Sequence, residues 1–422
     1  MAATSVIEEI AKRARLAART LSASSNAQRN QILENIASEL QSNLKIIIEA
    51  NQLDMQAAKK SGMNQSLQDR LLLTEARIIS MANAAKNIAK LADPLNRVLV
   101  ERTLENGLHL LQKSVPFGVV GMVYEARPNV TVDAAVILIK SGNAALLRGS
   151  SSAEHSNKEL IEVMKKAFTG TSVSPEVIQL VPSDDRSTVT ALLKANGFVD
   201  LVIPRGSAQL IRTVVDEATV PTIETGAGVC HVYVDKSADF DKAIAILINS
   251  KCDRPSVCNA AETLLVDKKI AEKFLPLALK ALVDAGVVIN IDSQSKALAT
   301  SLGIATELAS ESSWSTEYGT LEINVAQVDG VMGAIDHIAK YGTKHTEAIV
   351  ADDQEAIAIF TSLNDCAAVM INASTRFTDG EQMGFGAEIG ISNQKMHARG
   401  PMGLEQMTTT TWVVSGNGQI RK

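Results

Sequence analysis

Apolar residues along roughly the first 95 positions recur at intervals of three and four. In NAQRNQILENIASELQSNLKIIIEANQLDM, Leu33, Ile36, Leu40, Leu44 and Ile47 keep this spacing, and Val6, Ile7, Ile10 and Leu16 do so nearer the N-terminus. Such spacing predicts amphipathic helices. The rhythm breaks at VLVERTLENGLHLLQKSVP, where two extended runs flank Asn106-Gly107. That dipeptide between two extended runs is the strongest short hairpin signal available. The closing stretch, TTTTWVVSGNGQI, is rich in β-branched residues and predicts one more strand. It could lie beside the hairpin or pair with a second subunit.

From residue 117 the pattern alternates between short apolar runs and helical spacing. FGVVGMVYE reads as a buried strand, TVDAAVILIKSG as a helix, NAALLRG as a strand and SSAEHSNKELIEVMKKAF as a helix. VIQLVP, RSTVTALLKAN, VDLVIPRG and SAQLIRTVVDEA continue the series, and a second one begins near HVYVDKSADFDKAIAILINSK. Alternation of this kind predicts an α/β fold with parallel sheets covered by helices. No internal repeat or Pro-rich linker marks a boundary between domains.

Composition narrows the classes. A chain of 422 residues is too long for one core, so two or three domains are expected. A net charge of −6 without any basic block, and only 3% aromatic residues, argue against nucleic acid or an anionic membrane as partner. An anionic small molecule still fits, because a few local arginines outweigh a weak global field. Charges interrupt MAATSVIEEIAKRARLAART before a secretory core can form, and no run approaches the length of a membrane span. Four cysteines without a CxxC pair and six scattered histidines suggest neither a disulfide framework nor a zinc site. The chain therefore reads as cytoplasmic, with reduced thiols.

Candidate chemistry begins at KCDRPSVCNAAET. Pro255 bars the preceding helix from continuing, which leaves Cys252 at the helix end and Cys258 on a loop before the strand ETLLVD. Loops of this kind carry active-site groups, yet free cysteines also serve as inert packing, and position alone leaves both readings open. Cys230 and Cys366 lie in apolar runs and read as core. No GxGxxG follows a strand, so the usual dinucleotide fingerprint is absent. Two other strand–helix junctions suit a phosphate: Arg148, Gly149, Ser150 and Ser151 in one, and Arg205, Gly206 and Ser207 in the other. There, small residues expose backbone N–H groups and an arginine adds charge, although serines at helix starts also serve as plain caps. Glu224 precedes a Gly-x-Gly turn and reads as a turn-capping carboxylate. Asn129, just after Pro128, reads by spacing as an N-cap, with an amide that could instead face a developing oxyanion. GFGAEIGISNQKMHARGPMGL, with His397 and Arg399, is polar and glycine-rich, as a ligand-facing loop or a plain surface loop would be.

Taken together, YEARPNVTVDAAVILIKSGNAALLRG, LVIPRGS, ETGAGVCHVYVD, RPSVCNAAETLLVD and GFGAEIGISNQKMHARGPMGL resemble the aldehyde dehydrogenase superfamily. RPSVCNA and HARGPMGL are particular to its branch acting on L-glutamyl 5-phosphate. The resemblance implies an α/β, aldehyde dehydrogenase-like fold of two Rossmann-like parallel-sheet domains plus a small β oligomerisation arm. The expected parts are an NADP-binding domain over 1–99 and 117–227, a catalytic domain over 228–400, and an arm from 100–116 and 401–422. It also implies a homo-oligomer. The implied reaction is NADPH-dependent reduction of L-glutamyl 5-phosphate to L-glutamate 5-semialdehyde and phosphate, the second step of proline biosynthesis from glutamate.

In that resemblance Cys258 is the nucleophile, Cys252 a bystander and Asn129 the oxyanion donor. Arg148 takes the place of the family's cofactor-binding lysine, with Gly149 and Ser150 beside it. Ser151 stands where many NAD-preferring relatives carry a ribose-gripping glutamate. A serine there admits a 2′-phosphate, which implies NADP(H). Gly206 and Ser207 meet the cofactor at the second helix start, and Glu317 matches the glutamate that holds the nicotinamide ribose. Glu224 matches the water-activating base of hydrolytic relatives. Because water would destroy an acyl-enzyme destined for reduction, Glu224 is grouped with the cofactor pocket. Arg127, His345 and Arg399 are the cationic candidates for the substrate's carboxylate and phosphate, with ordinary surface solvation as the alternative. No region for a kinase follows the last strand, so the glutamate 5-kinase upstream is expected to be a separate protein in transient contact. Two other readings compete: a water-using aldehyde dehydrogenase dependent on Glu224, and a catalytically silent binding protein on the same fold.

Overall fold

The computed structural model describes residues 3–421 and resolves them into two compact units. The first comprises Met1–Thr225, Gly384–Gly390 and Met402–Lys422. It opens with five helices: α1 (Ala3–Ser22), α2 (Asn26–Ser42), α3 (Leu44–Lys60), α4 (Gln65–Leu71) and α5 (Glu75–Lys90). Ser25 and Gln28 form a reciprocal capping box that starts α2. The long apolar run of the sequence is divided between α2 and α3. At Asn43 the side-chain amide bonds the Glu39 carbonyl at 2.8 Å and ends α2, because a short polar side chain competes with the helix for its own backbone. In α1 the buried face is built from Ile7, Ile10, Ala11, Ala14, Ala17 and Ala18, while Leu16 points outward.

Four parallel strands follow the helices: β3 (Val119–Tyr124), β4 (Ala144–Arg148), β5 (Ile178–Leu180) and β6 (Leu201–Arg205), arranged in the order β5-β4-β3-β6. They are linked through α6 (Pro128–Lys140), α7 (Glu154–Lys166) and α8 (Ser187–Leu193), and α9 (Ala208–Glu217) comes after the last. Helix α6 is buried along almost its whole length, packed against α2, α5 and the sheet. The expected hairpin is β1 (Val98–Thr103) and β2 (His109–Pro116), with Gly107 at φ 81° in its turn. The terminal strand β16 (Thr408–Ser415) lies antiparallel beside β2, from Thr408 opposite Pro116 to Ser415 opposite His109. Asn143 fastens the root of this small sheet, donating to the Met407 carbonyl at 2.8 Å.

The second unit comprises Gly226–Met383 and Ile391–Pro401. Its seven-stranded parallel sheet contains β7 (Cys230–Val234), β8 (Ala261–Asp267), β9 (Val288–Ile291), β10 (Glu307–Leu308), β11 (Glu322–Val328), β12 (Thr346–Val350) and β13 (Ala368–Ile371). The strand order is β10-β9-β11-β8-β7-β12-β13. Helices α10 (Phe240–Cys252), α11 (Ala271–Asp284), α12 (Ser293–Ser301), α13 (Gly330–Tyr341) and α14 (Gln354–Leu363) cover it. Side chains alternate between two apolar layers, as period two requires: Val232, Val234, Leu264 and Val266 enter one, and Tyr233, Leu265 and Ile349 the other. A short ladder of β14 (Ile391–Ser392) and β15 (Gly400–Pro401) structures part of the glycine-rich stretch. Among the described residues no helix is long and apolar enough to cross a membrane.

Candidate active site

The first unit gathers its candidates along one sheet edge. Val123 of β3 is in register with Arg148 of β4, and Tyr124 with Arg205 of β6, so the carboxyl ends of three strands open together. Strand order reverses at β3, which has β4 on one side and β6 on the other. A reversal of this kind leaves a crevice outside the strand ends, where α/β proteins hold ligands. Arg148, 9% exposed, donates from Nη1 to the Gly149 carbonyl at 3.0 Å and from Nη2 to the Ser183 and Asp185 carbonyls at 3.4 Å. Its buried Nε has no partner among the described residues. Ser150 caps the short turn Ser151–Ala153, and Ser151 itself is exposed. At the other junction Ser207 caps α9, and its hydroxyl donates to Glu125 at 2.7 Å, beside an exposed Gly206. Glu224 is half-buried in the segment leading out of this unit.

Asn129 departs from its spacing-based reading. The N-cap of α6 is Arg127, Pro128 takes the first helical position, and Asn129 lies one residue further in. A proline there is pre-set for helical φ and lacks the N–H that would go unpaired, so the helix starts earlier than an asparagine cap predicts. The Asn129 amide donates to the Asp133 carboxylate at 2.9 Å. Burial pushes the Asp133 carboxyl up to about 6, against the pull of Asn129 and Arg205.

In the second unit α10 ends at Cys252, and the chain turns through Pro255 to bring a half-buried Cys258 onto the loop before β8. Gly228 packs directly on this loop, since a Cβ at that position would overlap the Cys258 carbonyl. The Gly228 N–H reaches the Glu317 carboxylate. Although Glu317 is exposed as a residue, loss of water around its carboxyl raises its pKa, opposed by that N–H and by Lys251. Lys251 in turn donates to Glu262 at 2.7 Å, and both are fully buried. Burial raises the Glu262 carboxyl while the adjacent ammonium holds it down. Cys258 and Glu317, far apart in sequence, are thus joined through one glycine.

The cationic candidates separate. His345 is fully enclosed, its Nδ1 lies 2.9 Å from the Thr346 hydroxyl, and burial pushes its ring down to about 4. An uncharged imidazole without solvent access does not serve as a cation for a carboxylate or phosphate, which corrects that expectation for His345. Arg399 donates to Asp365 at 2.8 Å, joined there by Lys344 and Lys395 at 3.2 Å each. The three cations hold the Asp365 carboxyl well below the usual range. The Arg399 Nε is buried and has no hydrogen-bond partner among the described residues. Arg127 is half-buried at the start of α6. Sequence reasoning passed over Gly228, the Lys251–Glu262 pair and the lysines around Asp365. Only Gly228 left a signal, as the second glycine of a Gly-x-Gly just ahead of a strand.

Residues 1–297 match the aldehyde dehydrogenase family. The chain is 50% identical over 415 residues to a γ-glutamyl phosphate reductase of Thermobifida fusca, covering 98% of each chain. The crystal structure of γ-glutamyl phosphate reductase from Thermotoga maritima aligns with a TM-score of 0.96 at 42% identity, over 99% of this chain and 100% of that one. Its counterpart from Saccharomyces cerevisiae aligns with a TM-score of 0.54 at 30% identity, over 98% of each chain.

Proposed function

The chain belongs to the aldehyde dehydrogenase family, in its γ-glutamyl phosphate reductase branch, and from that premise we propose that it reduces L-glutamyl 5-phosphate to L-glutamate 5-semialdehyde and phosphate with NADPH, through a thioester on Cys258. The observation that supports this most is the packing of Gly228 against the Cys258 carbonyl while its N–H reaches Glu317, which ties the backbone of the thiol-bearing loop to a carboxylate through one glycine.

Residues of the first unit fit a phosphate-bearing dinucleotide. The unpartnered Nε of Arg148 is a buried donor in want of an acceptor, and a Cβ at Gly149 would press on the Asn157 amide and Tyr124, so the junction is kept bare. We assign Arg148, Gly149, Ser150 and Ser151 to its adenosine half, and Gly206 and Ser207, with Glu224 and Glu317, to the remainder. When bound, NADPH supplies the hydride. An exposed Ser151 in place of a carboxylate removes a charge that would repel a 2′-phosphate.

The Cys258 thiolate attacks the acyl carbon of the substrate, and phosphate leaves as the sulfur–carbon bond forms. Negative charge on the carbonyl oxygen is met by the Asn129 amide, oriented by Asp133, and by the Cys258 N–H. Expulsion of the aldehyde returns the thiolate. Arg127 and Arg399 are the cations assigned to the substrate's anionic groups. In this reading the first unit binds the dinucleotide and the second carries the nucleophile. The face of β16 that exposes Trp412 and Val414 joins copies of the chain into a homo-oligomer.

Running the reaction backwards tests the proposal. Semialdehyde and NADP⁺ should form NADPH only when inorganic phosphate is present, and Cys258→Ser should abolish turnover while leaving the melting temperature unchanged. Turnover that ignores phosphate would point to a water-using dehydrogenase instead.

A further inference from the structure

The carbonyl of Cys258 is closely held. The bare Cα of Gly228 packs against it. The Cys230 thiol, fully buried at the start of β7, donates to that oxygen at 3.2 Å. Burial, together with the charges of Glu347 and Cys258, keeps the Cys230 thiol protonated, so it is a donor throughout the physiological range. Cys230 also lies 3.8 Å from His345 Nδ1, which is 2.9 Å from the Thr346 hydroxyl, which donates to the Thr378 hydroxyl at 2.9 Å. The Thr378 carbonyl accepts from the Asn259 amide at 2.9 Å, and Asn259 is the residue after the nucleophile. Arg376 and its carbonyl grip the same amide side chain. A ring of polar contacts therefore leaves the peptide after Cys258 and returns to it, through two buried side chains, Cys230 and His345, that the proposed chemistry does not use.

We propose that Cys230 is a positioning residue for the nucleophile: its S–H fixes the Cys258–Asn259 peptide and neutralises the negative end of that peptide dipole beside the reacting sulfur. Enclosure of His345 then has a use, as a neutral link in this clamp. Removing the donor frees the peptide to rotate and leaves its carbonyl charge uncompensated one residue from the thiolate. The thiolate becomes harder to form, and its sulfur is no longer held on one trajectory.

This inference rests on Cys258 as nucleophile, so its test reads the thiol without substrate as well as with it. Cys230→Val removes the donor at similar volume, whereas Cys230→Ser keeps a donor on a shorter bond. Site-resolved alkylation of Cys258 by iodoacetamide is followed against pH by peptide mass spectrometry, alongside kcat, KM and the melting temperature. Cys230→Val should shift the alkylation profile to higher pH and lower kcat about tenfold, with KM within about twofold, and Cys230→Ser should recover much of both. Cys230→Ala carries the same expectation as valine if the valine variant does not fold. A folded valine or alanine variant with wild-type alkylation and kcat overturns the clamp, as does a serine variant no better than valine. If Cys258→Ser still turns over, it is the assignment of the nucleophile that fails, whatever the Cys230 variants do.

Discussion

Asp133 is an ionisable group held where water cannot fully stabilise its charge, with a pKa raised to about 6. A carboxyl whose folded pKa lies above its unfolded value of about 4 stabilises the fold below that value and loses the contribution as pH rises through about 6. Asp133→Asn keeps an acceptor for Asn129 and removes the buried charge. Its melting temperature should exceed that of the wild type at pH 7.5, with the gap closing toward pH 5; a gap independent of pH would show that the carboxyl does not titrate in this window. At this scale the sequence was legible where a breaker isolates a residue. Pro255 marks the end of α10, and the loop position of Cys258 follows from it. It was illegible where the partner is distant: nothing near His345 announces its enclosure, and nothing near Asn129 shows that its amide turns to Asp133.

Elements followed the hydrophobic rhythm wherever that rhythm was long. Strands β3 and β6, the hairpin of β1 and β2, and the lone strand β16 all fall where alternation and turn residues place them. Leu16 departs from its helical spacing because packing of small residues leaves no mark in a count of large ones. Alanines carry the buried face of α1, and a single asparagine divides α2 from α3. The join between α10 and β8 depends on a pair that periodicity cannot reveal, Lys251 on the helix and Glu262 on the strand, both enclosed and 2.7 Å apart. Lys251→Met leaves a carboxylate buried and unpaired and should cost about 3–5 kcal/mol in urea denaturation. Adding Glu262→Leu should return much of that loss, because two apolar side chains require no counter-charge. A double variant as unstable as the single one would mean that shape, not charge, sets the requirement.

On the scale of the whole molecule, composition and alternation announced an α/β protein with more than one parallel sheet, which the structure contains. The small antiparallel sheet shows Trp412 and Val414, two residues apart on β16 and so on one face, to solvent at 52% and 54% exposure. Apolar side chains in such a row are the mark of a surface that another chain covers. If this face joins copies of the chain, Trp412→Glu with Val414→Lys should lower the mass measured by light scattering while the far-UV spectrum is kept. An unchanged mass would move the interface elsewhere. The sheet has a further consequence for how the protein is made. Its third strand, and the Met407 carbonyl that anchors Asn143, are synthesised hundreds of residues after Asn143 and β2. The nascent first unit must wait, with a sheet edge unpaired, while the entire second unit is translated, which makes that interval the natural moment for chaperones or proteases to intervene.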